Sequence, residues 1–290
     1  MNLGPIYFSM EIIHTISTLQ PYINECKARQ LQVGFVPTMG ALHEGHLSLI
    51  KQSLKENDIT VCSIFVNPTQ FNNTSDLANY PRTIASDIQL LEKEGCTVVF
   101  IPSENEIYPS SSFKTLSIDL QDLDKNMEGK YRPGHFMGMV TVVKRLFEIV
   151  QPHKAYFGKK DYQQLKIIQF MVSYFKLPIQ IVACETLREP NGLAMSSRNT
   201  RLSTEQRKNA EVIYRALLNA KQHFFTLSIT QLKNQIAEEI NSCKDFKVEY
   251  VEIANANSLK PIIDNEKTNA MAFVACFAGE VRLIDNIHLS

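Results

Sequence analysis

The sequence lacks the features that mark several common classes of protein. Its 30 lysine and arginine residues are matched by 30 aspartate and glutamate residues, so the chain has no net charge. General nucleic-acid binders carry a clear basic excess, which this chain does not have. No apolar run is long enough to span a membrane. The residues around Glu11 and His14 include no basic segment of the kind that begins a secretory signal. The expectation is a cytoplasmic protein that binds neither nucleic acid nor a membrane.

Cysteine pairs at metal-binding or redox spacing are also missing. The chain has six cysteines, and no two of them form a Cys-x-x-Cys motif. Several lie in apolar, strand-like runs, as Cys62 does within residues 59–65. This distribution predicts reduced, buried thiols of the kind found in cytosolic proteins.

What is present is an ordinary globular composition with alternating helix and strand patterns. Hydrophobic residues make up 44% of the 290 positions and charged residues 21%, as in soluble proteins, and this length favours two domains. Apolar strand-like runs alternate with helix-like segments through the first two-thirds, which predicts a Rossmann-like, mostly parallel sheet with helices on both faces. The predicted strands are 33–36, 59–66, 97–101, 154–157 and 179–184, and the predicted helices are 10–30, 45–56, 82–94, 138–150 and 162–176.

The pattern changes near residue 186, where proline and glycine interrupt the periodicity. Two predicted helices, 203–224 and 228–242, are followed by three predicted strands, 247–253, 271–277 and 281–285. Helices followed by strands indicate a small α+β domain. We therefore predict a Rossmann-like first domain over residues 1–186 and a smaller C-terminal α+β domain over residues 187–290, which would act as a lid.

The strongest candidate site follows the strand at 33–36. A turn over residues 37–42 leads into His43-Glu44-Gly45-His46, which precedes apolar residues at helical spacing. Two imidazoles therefore lie on one face of the first helical turn. A helix N-terminus presents unpaired N–H groups and a partial positive charge, and both favour anions. The segment predicts a phosphate site with two imidazoles directed into it.

Two other interpretations of the histidine pair stay open. His43 and His46 could hold a metal ion, although no third ligand cluster is near them and zinc-binding helices more often space their histidines by four residues. They could also be structural. The motif resembles the His-x-Gly-His signature of the nucleotidyltransferase superfamily, which favours nucleotide chemistry.

Polar residues also follow two other predicted strands, at the sheet edge where ligands bind in open parallel sheets. Gln70 offers a donor and an acceptor suited to a hydroxyl or carboxylate, unless residues 65–71 are a simple Asn-Pro turn. Residues 158–164 begin with a glycine and two lysines at a helix start, which indicates an anion site or a solvated cap. Of Lys159 and Lys160, only one is expected to face a ligand.

Two further segments are candidates for ligand contacts. Residues 195–199 supply two hydroxyls and the guanidinium of Arg198, which binds phosphate oxygens with a geometry that lysine cannot match. His135, within residues 132–136, is either a ligand contact or a residue that begins a helix.

Together these motifs resemble those of the pantoate–β-alanine ligase family. The matching blocks occur in the family's order, and they are residues 37–46, 63–71, 80–83, 132–136, 157–164 and 192–199. Residues 282–286 resemble the family's C-terminal end. Lys159 stands where the family usually has glutamate, and Asn191 stands where it commonly has aspartate. Neither departure removes a group that is assigned to chemistry.

The resemblance implies an ATP-dependent ligation of pantoate to β-alanine. The pantoate carboxylate would attack the α-phosphate of ATP, giving pantoyl-adenylate and pyrophosphate, and β-alanine would then displace AMP. The resemblance also implies a homodimer and Mg²⁺, bound mainly through phosphate oxygens and water rather than by protein ligands.

The resemblance assigns roles position by position. His46 would be the proton donor, and Lys160, Ser196 and Arg198 would hold the phosphates, with Lys160 and Arg198 counted as catalytic. To these we add His43 as a second catalytic residue, a partner donor to the phosphate oxygens. Gln70 would bind pantoate and β-alanine. Gln164 would bind pantoate. The residues expected to bind ATP are Met39, Gly40, Ala41, Leu42, His43, Glu44, Gly45, His46, Gly158, Lys159, Lys160, Asp161, Leu187, Met195, Ser196, Ser197 and Arg198.

Three other functions stay open at this point. An aminoacyl-tRNA synthetase has a phosphate motif similar to residues 195–198, but this chain is short and has no basic anticodon-type domain. A cytidylyl- or nicotinate-type nucleotidyltransferase shares the His-x-Gly-His signature, but it would not explain Gln70 and Gln164. A nucleotide sensor would bind nucleotide without turnover.

Overall fold

The computed structural model describes residues 10–71, 74–109 and 116–290. The strands are β1 (Glu11–Ile13), β2 (Val33–Thr38), β3 (Ile59–Ile64), β4 (Val98–Phe100), β5 (Lys154–Gly158), β6 (Gln180–Cys184), β7 (Phe246–Asn255), β8 (Ala270–Ala278) and β9 (Val281–His288). The α-helices are α1 (Ile16–Ala28), α2 (Glu44–Glu56), α3 (Thr74–Ala78), α4 (Ile84–Glu94), α5 (Glu104–Ile107), α6 (Met127–Tyr131), α7 (His135–Val150), α8 (Tyr162–Tyr174), α9 (Thr204–Asn209), α10 (Glu211–Gln222) and α11 (Ile229–Asn241).

The chain divides into two compact units. Unit 1 contains the described residues up to 118 together with 134–157 and 168–184, and unit 2 contains 119–133, 158–167 and 185–290. Unit 2 thus includes two segments that the predicted division places in the first domain. The division into 1–186 and 187–290, with a lid function for the second part, stays a prediction.

Unit 1 is built on one sheet with the strand order β1-β4-β3-β2-β5-β6. The pairs β1–β4, β4–β3, β3–β2 and β2–β5 are all parallel. Strands β2 and β3 pair over their full length, from Val33 opposite Ile59 to Thr38 opposite Ile64. The mostly parallel sheet predicted from the alternating pattern is confirmed, and the carboxyl ends of β2 and β3 lie side by side.

Helices cover both faces of this sheet. Successive residues of a strand point to opposite faces. The contacts of Phe35 and Val36 in β2 therefore show which helices pack on each face of the sheet. Val36 packs in a buried cluster with Ile50 of α2 and Leu91 of α4. Phe35 meets Phe147 of α7, with ring centroids 6.2 Å apart. The predicted placement of helices on both faces is therefore confirmed.

Two predicted helices differ from the structure. The segment 10–30 begins with strand β1, because residues 11–13 pair with β4, and the helix starts only after Thr15, whose hydroxyl accepts the N–H of Thr18 at 3.2 Å. The segment 203–224 is two helices, α9 and α10, which meet at Ala210. Pairing with a distant strand, which is not visible in the apolar periodicity, decides the first case, and the break in the second case has no side-chain cap at Ala210.

Unit 2 contains an antiparallel sheet in the order β7-β8-β9. One face packs against α10 and α11, and this buried cluster includes Val274, Leu217 and Ile236. On the other face, Phe273 packs in a second cluster that includes Met127 and Tyr162. The predicted strands and helices of the C-terminal α+β region are found, and residues 119–133 and 158–167 complete the second face.

The cysteines and helices also bear on the class of the protein. All six cysteines are free, and Cys26, Cys62, Cys96 and Cys276 are buried. Burial raises the pKa of the Cys96 thiol to about 12, which keeps it protonated and unreactive. In residues 10–71, 74–109 and 116–290, every helix is too short or too polar to cross a lipid bilayer.

Candidate active site

The loop between β2 and α2 has a backbone that only particular residues can adopt. Gly40 has φ +79° and Ala41 has φ +50°. A Cβ atom on Gly40 would lie 3.0 Å from Cγ2 of Ile64 and 3.1 Å from a carboxylate oxygen of Asp87. Glycine is therefore required at position 40 both for its backbone angle and for the close approach of its neighbours.

Asp87 of α4 holds this loop in place, although no motif in the sequence indicates this role. One carboxylate oxygen accepts the N–H of Ala41 at 2.9 Å, and the other accepts the N–H of Leu42 at 2.8 Å and the hydroxyl of Thr83 at 3.1 Å. The Asp87 side chain is 1% exposed. Because two loop N–H groups donate to Asp87, contacts from Ala41 and Leu42 to a ligand have to come from other atoms.

The two histidines meet at the start of α2. Their ring centroids lie 4.1 Å apart. His43 is the N-cap residue, and its Nδ1 accepts the N–H of Gly45 at 3.1 Å. A ring nitrogen that accepts a hydrogen bond carries no hydrogen, so neutral His43 has its hydrogen on Nε2.

The expectation that the first N–H groups of α2 are unpaired is wrong at two positions. The Gly45 N–H donates to the His43 ring, and the His46 N–H donates to the His43 carbonyl at 2.8 Å. The positive end of the helix dipole stays at this site. Hydrogen bonds to an anion here therefore depend more on the imidazoles than on these two backbone groups.

Gln70 lies beside the loop that contains the histidines. It ends a short 3₁₀ turn, Pro68–Gln70, and is 8% exposed. Its Oε1 accepts the amide of Asn67 at 3.0 Å, and its Nε2 lies 3.1 Å from the sulfur of Met39. The Asn-Pro turn and the functional interpretation are thus compatible, because the turn places Gln70 next to the first residue predicted to bind ATP.

Helix α7 packs against the turn Pro68–Gln70 and holds it in place. The amide of Asn67 donates to the carbonyl of Gly138 at 3.2 Å. A Cβ atom on Gly138 would lie 2.2 Å from the carbonyl oxygen of Thr69, so no side chain fits there. His135, the first residue of α7, is 6% exposed, and its Nδ1 lies 2.8 Å from the Gln70 carbonyl. His135 begins the helix and also fixes the backbone of Gln70.

In unit 2, the two adjacent lysines have different surroundings. They lie in a 3₁₀ turn, Lys159–Asp161, that leads into α8. The ammonium of Lys159 pairs with the carboxylate of Glu185. Lys160 has a side chain that is 18% exposed, and its ammonium lies 3.6 Å from the Asp161 carboxylate. Each lysine thus has a carboxylate partner, and the two differ in that the side chain of Lys160 is the more buried.

Strand β9 contacts this turn and also the 3₁₀ turn Ser197–Arg201. Asn286 donates from Nδ2 to the carbonyls of Lys159 at 3.0 Å and Lys160 at 2.7 Å. Its neighbour Asp285 accepts two hydrogen bonds from Arg188, at 2.6 and 2.9 Å. Residues 282–286 match the C-terminal end of the family, but no motif in the sequence indicates a role for these two side chains.

The segment with the predicted hydroxyls and guanidinium is held by its own backbone. The N–H of Met195 donates to the carbonyl of Leu187 at 3.0 Å. The hydroxyl of Ser196 accepts the N–H of Arg198 at 3.3 Å and caps the turn. Ser197 is buried. The Ser196 hydroxyl thus already accepts one hydrogen bond as the cap of this turn.

The two glutamines at the start of α8 also differ. Gln163 is 4% exposed, and its amide nitrogen donates to the carbonyls of Leu123 at 2.8 Å and Asn126 at 2.9 Å. Its oxygen accepts the N–H of Glu128 at 3.0 Å. Gln164, the predicted substrate ligand, is half-buried. Gln163 therefore has a structural role, and Gln164 is the better candidate for a ligand.

A charged cluster ties residues 119–133 to the C-terminal sheet within unit 2. Arg282 donates to both oxygens of Glu128, at 2.9 and 2.6 Å, and also to Glu249 at 2.6 Å. The Tyr250 hydroxyl donates to Glu128 at 2.9 Å. Burial alone raises the pKa of Glu128, but the hydrogen bonds and charge of Arg282 outweigh it and lower the pKa from 4.5 to about 2.

The structure thus gathers the predicted residues into one set in each unit. In unit 1, Gln70 lies beside Met39 in the loop that carries the two histidines. In unit 2, β9 contacts both the lysine turn and the turn that contains Arg198. In the part of the chain that the structure describes, no three histidine, cysteine, aspartate or glutamate side chains are grouped as a metal site. The assigned roles of the site residues stay predictions.

Comparison with known proteins gives the family. A model of the family described as Pantoate-beta-alanine ligase matches residues 11–288. A pantothenate synthetase from Bacteroides fragilis (strain YCH46) is 46% identical over 279 residues, which cover 96% of this chain and 98% of that protein.

Solved structures agree with this match. A pantothenate synthetase from Thermus thermophilus has a TM-score of 0.90 at 40% identity, with 97% of this chain and 99% of that chain covered. A pantoate-beta-alanine ligase from Francisella tularensis, complexed with beta-gamma ATP and beta-alanine, has a TM-score of 0.81 at 39% identity, with 97% and 98% covered. The chain therefore belongs to the pantoate–β-alanine ligase family.

Proposed function

We propose that this chain catalyses the ATP-dependent condensation of pantoate with β-alanine to pantothenate. Family membership over residues 11–288 supports this activity, as does the similarity to a ligase that was solved with an ATP compound and β-alanine. The structural observation that carries the proposal is the pair of imidazoles, 4.1 Å apart, in the loop where Gln70 meets Met39. Groups suited to phosphate oxygens and an amide suited to a carboxylate are then adjacent.

The first step would be adenylation of pantoate. A carboxylate oxygen of pantoate forms a bond to the α-phosphorus of ATP, while the bond from that phosphorus to the pyrophosphate oxygen breaks. Negative charge grows on the phosphate oxygens as this happens. His46 would donate a proton or hydrogen bond to them, and neutral His43 would donate from Nε2. Preorganised donors of this kind stabilise the transition state because they need no reorganisation during the reaction.

The second step would be attack by β-alanine. Its amine nitrogen forms a bond to the acyl carbon of pantoyl-adenylate, the amine loses a proton, and the bond from that carbon to the AMP oxygen breaks. Gln70 would bind pantoate and β-alanine, and Gln164 would bind pantoate. The amide of Gln70 is held by Asn67 and its backbone by His135, which limits the positions that a bound carboxylate can take.

Unit 2 would supply cationic groups for the ATP phosphates. Lys160, Ser196 and Arg198 are assigned to phosphate oxygens, and the backbone around Leu187 and Met195 is assigned to the nucleotide. Both lysines pair with a carboxylate, and we assign Lys159 the smaller contribution because only Lys160 matches the lysine of the family.

We propose that Mg²⁺ binds together with ATP and is not held in a site made of protein ligands. The donors of the candidate site are imidazoles, amides, an ammonium and a guanidinium, which suit phosphate oxygens, whereas Mg²⁺ requires oxygen ligands. These residues therefore fit a metal that the phosphates hold. When bound, the ion would supply neutralisation of phosphate charge.

Pyrophosphate release tests the proposed function. With ATP and pantoate, the protein should release about one pyrophosphate per active site and form acyl-adenylate, and β-alanine should then allow turnover. His46→Ala should lose roughly 2–4 kcal/mol of transition-state stabilisation in the first step. His223→Ala, at an exposed position in unit 2, serves as the control and should react normally.

Two results would contradict the proposal. The first is no acyl-adenylate in a chemical-quench experiment before β-alanine is added. The second is near-normal pyrophosphate release by His46→Ala. Nucleotide binding without any pyrophosphate release would instead support a sensor function.

We also infer a cytoplasmic location and a homodimeric state. The six free cysteines support a reducing compartment, and the family resemblance supports the dimer. Light scattering should give twice the mass of one chain, and cell fractionation should place the activity in the cytosol. A monomer mass at working concentration would contradict the homodimer.

A further inference from the structure

The last strand of unit 2 reaches both predicted phosphate-binding turns. Asp285 and Asn286 are consecutive in β9 and therefore point to opposite faces of its sheet. Asp285 lies opposite Val274, whose side chain packs with the helices, and Asn286 lies opposite Phe273, which packs on the other face. One strand thus extends one polar side chain from each face.

Asn286 holds the lysine turn with both hydrogens of its amide. Its Nδ2 donates to the carbonyls of Lys159 at 3.0 Å and Lys160 at 2.7 Å, and the side chain is 7% exposed. An amide nitrogen has two donors, so both are used on successive peptide groups. The orientation of these peptides sets the direction in which the Lys160 side chain leaves the backbone.

Asp285 and Arg188 anchor Asn286 in turn. The N–H of Asn286 donates to an Asp285 oxygen at 2.8 Å. Arg188 donates to both oxygens of Asp285 and also to the carbonyl of Gly192 at 3.0 Å. The Arg188 guanidinium stacks 3.7 Å from the ring centroid of Tyr214. Asn286, which holds the lysine turn, is therefore itself held by the bidentate ion pair of Arg188 and Asp285.

We propose that Asn286 is a positioning residue for the adenylation step, because it fixes the backbone from which Lys160 reaches the phosphates. This inference rests on the proposed function. Asn286 touches neither substrate nor the reacting atoms in this assignment, and its whole effect on the rate passes through Lys160.

Asn286→Ala tests the proposal in a single-turnover assay of pyrophosphate release. Misplacement of a catalytic group by about 1 Å can cost roughly 100-fold, so we expect the adenylation rate to fall by roughly 10- to 100-fold. The rate at which β-alanine reacts with pantoyl-adenylate already formed on the enzyme should not change. Asn255→Ala is the matched control, because Asn255 also makes two side chain–backbone hydrogen bonds in unit 2, to the N–H groups of residues 257 and 258. It should react at the normal rate.

A double variant shows whether Asn286 acts through Lys160. In a Lys160→Ala background, Asn286→Ala should change the rate by no more than about twofold, since the group that it positions is already absent. Asn286→Asp keeps the volume but turns an oxygen toward the two carbonyls, so it should be at least as slow as Asn286→Ala. Urea titration checks that each variant is folded.

Several results would overturn the proposal. One is a normal adenylation rate for Asn286→Ala. Another is that the effects of Asn286→Ala and Lys160→Ala on the rate are independent in the double variant. A third is a large fall in the urea concentration at the unfolding midpoint in both Asn286 variants, which would make Asn286 a stabilising residue only. Failure of the proposed function is distinct, because then the unaltered protein itself would release no pyrophosphate with ATP and pantoate.

Discussion

Asp87→Asn tests whether the Asp87 carboxylate fixes the loop between β2 and α2, which leads into His43 and His46. The substitution keeps the size and shape of a side chain that is 1% exposed, so it creates no cavity. It replaces one of two carboxylate oxygens with an NH₂ group. Either the Ala41 N–H or the Leu42 N–H then faces a donor instead of an acceptor.

The magnitude follows from these contacts. A hydrogen bond to a charged group contributes about 1.5–3 kcal/mol net, and a buried donor without a partner costs a similar amount. Part of this loss is offset because a neutral amide costs less to bury than a carboxylate. We expect the free energy of unfolding to fall by about 1–2 kcal/mol. The loop would also shift, and pyrophosphate release should slow by roughly tenfold or more.

Urea titration and single-turnover pyrophosphate release measure the two effects of Asp87→Asn. Asp58→Asn is a matched control in the same unit, because Asp58 is exposed and accepts one backbone N–H, from Gln32, at 2.7 Å. The control should stay within about 0.5 kcal/mol of the unaltered stability and should react normally. Unchanged stability and rate in Asp87→Asn would refute the idea that this carboxylate shapes the loop.

Three further predictions concern unit 2. Lys160→Ala should abolish most pyrophosphate release, whereas Lys159→Ala should have a small effect because only Lys160 matches the lysine of the family and its side chain is the more buried of the two; the reverse order in steady-state kinetics would show that the turn is assigned wrongly. Gln164→Ala should weaken pantoate binding far more than ATP binding in calorimetry, since an unpaired polar group costs about 1–3 kcal/mol, and equal weakening would contradict the pantoate role. The pKa of Glu128 is lowered from 4.5 to about 2, so its stabilisation is complete above pH 4.5 and is lost as the pH falls toward 2. Urea titrations between about pH 5 and pH 3 should show this slope, and Glu128→Gln should reduce it; an identical slope in the variant would contradict the assignment.

The local parts of the fold and site could be predicted because their signals are local. The strand at 33–36 and the helix after residue 44 are separated by a turn that proline and glycine mark. Gln70 could be placed at the sheet edge because it follows the next strand. In each case the residues that carry the signal are close together in the chain.

The supports of the site could not be predicted, because they come from distant parts of the chain. Asp87 reaches the loop from a helix 45 residues away, counted from Leu42, and nothing near it in the sequence indicates this contact. Asn286 reaches Lys160 across 126 residues. Strand β1 falls within the predicted helix 10–30, and its residues form a strand because they pair with β4, which is far away in the chain.

The close approach at Gly138 has a consequence for engineering this enzyme. Replacing a helical glycine by alanine ordinarily stabilises a protein by roughly 0.5–1 kcal/mol, and it is a standard thermostabilising change. In α7 the added methyl group would lie 2.2 Å from the Thr69 carbonyl, and backbone atoms cannot rotate out of the way as a flexible side chain can. Gly138→Ala should therefore lower the stability of the protein instead of raising it. In a screen for heat-resistant variants, the selected sequences should keep glycine at position 138.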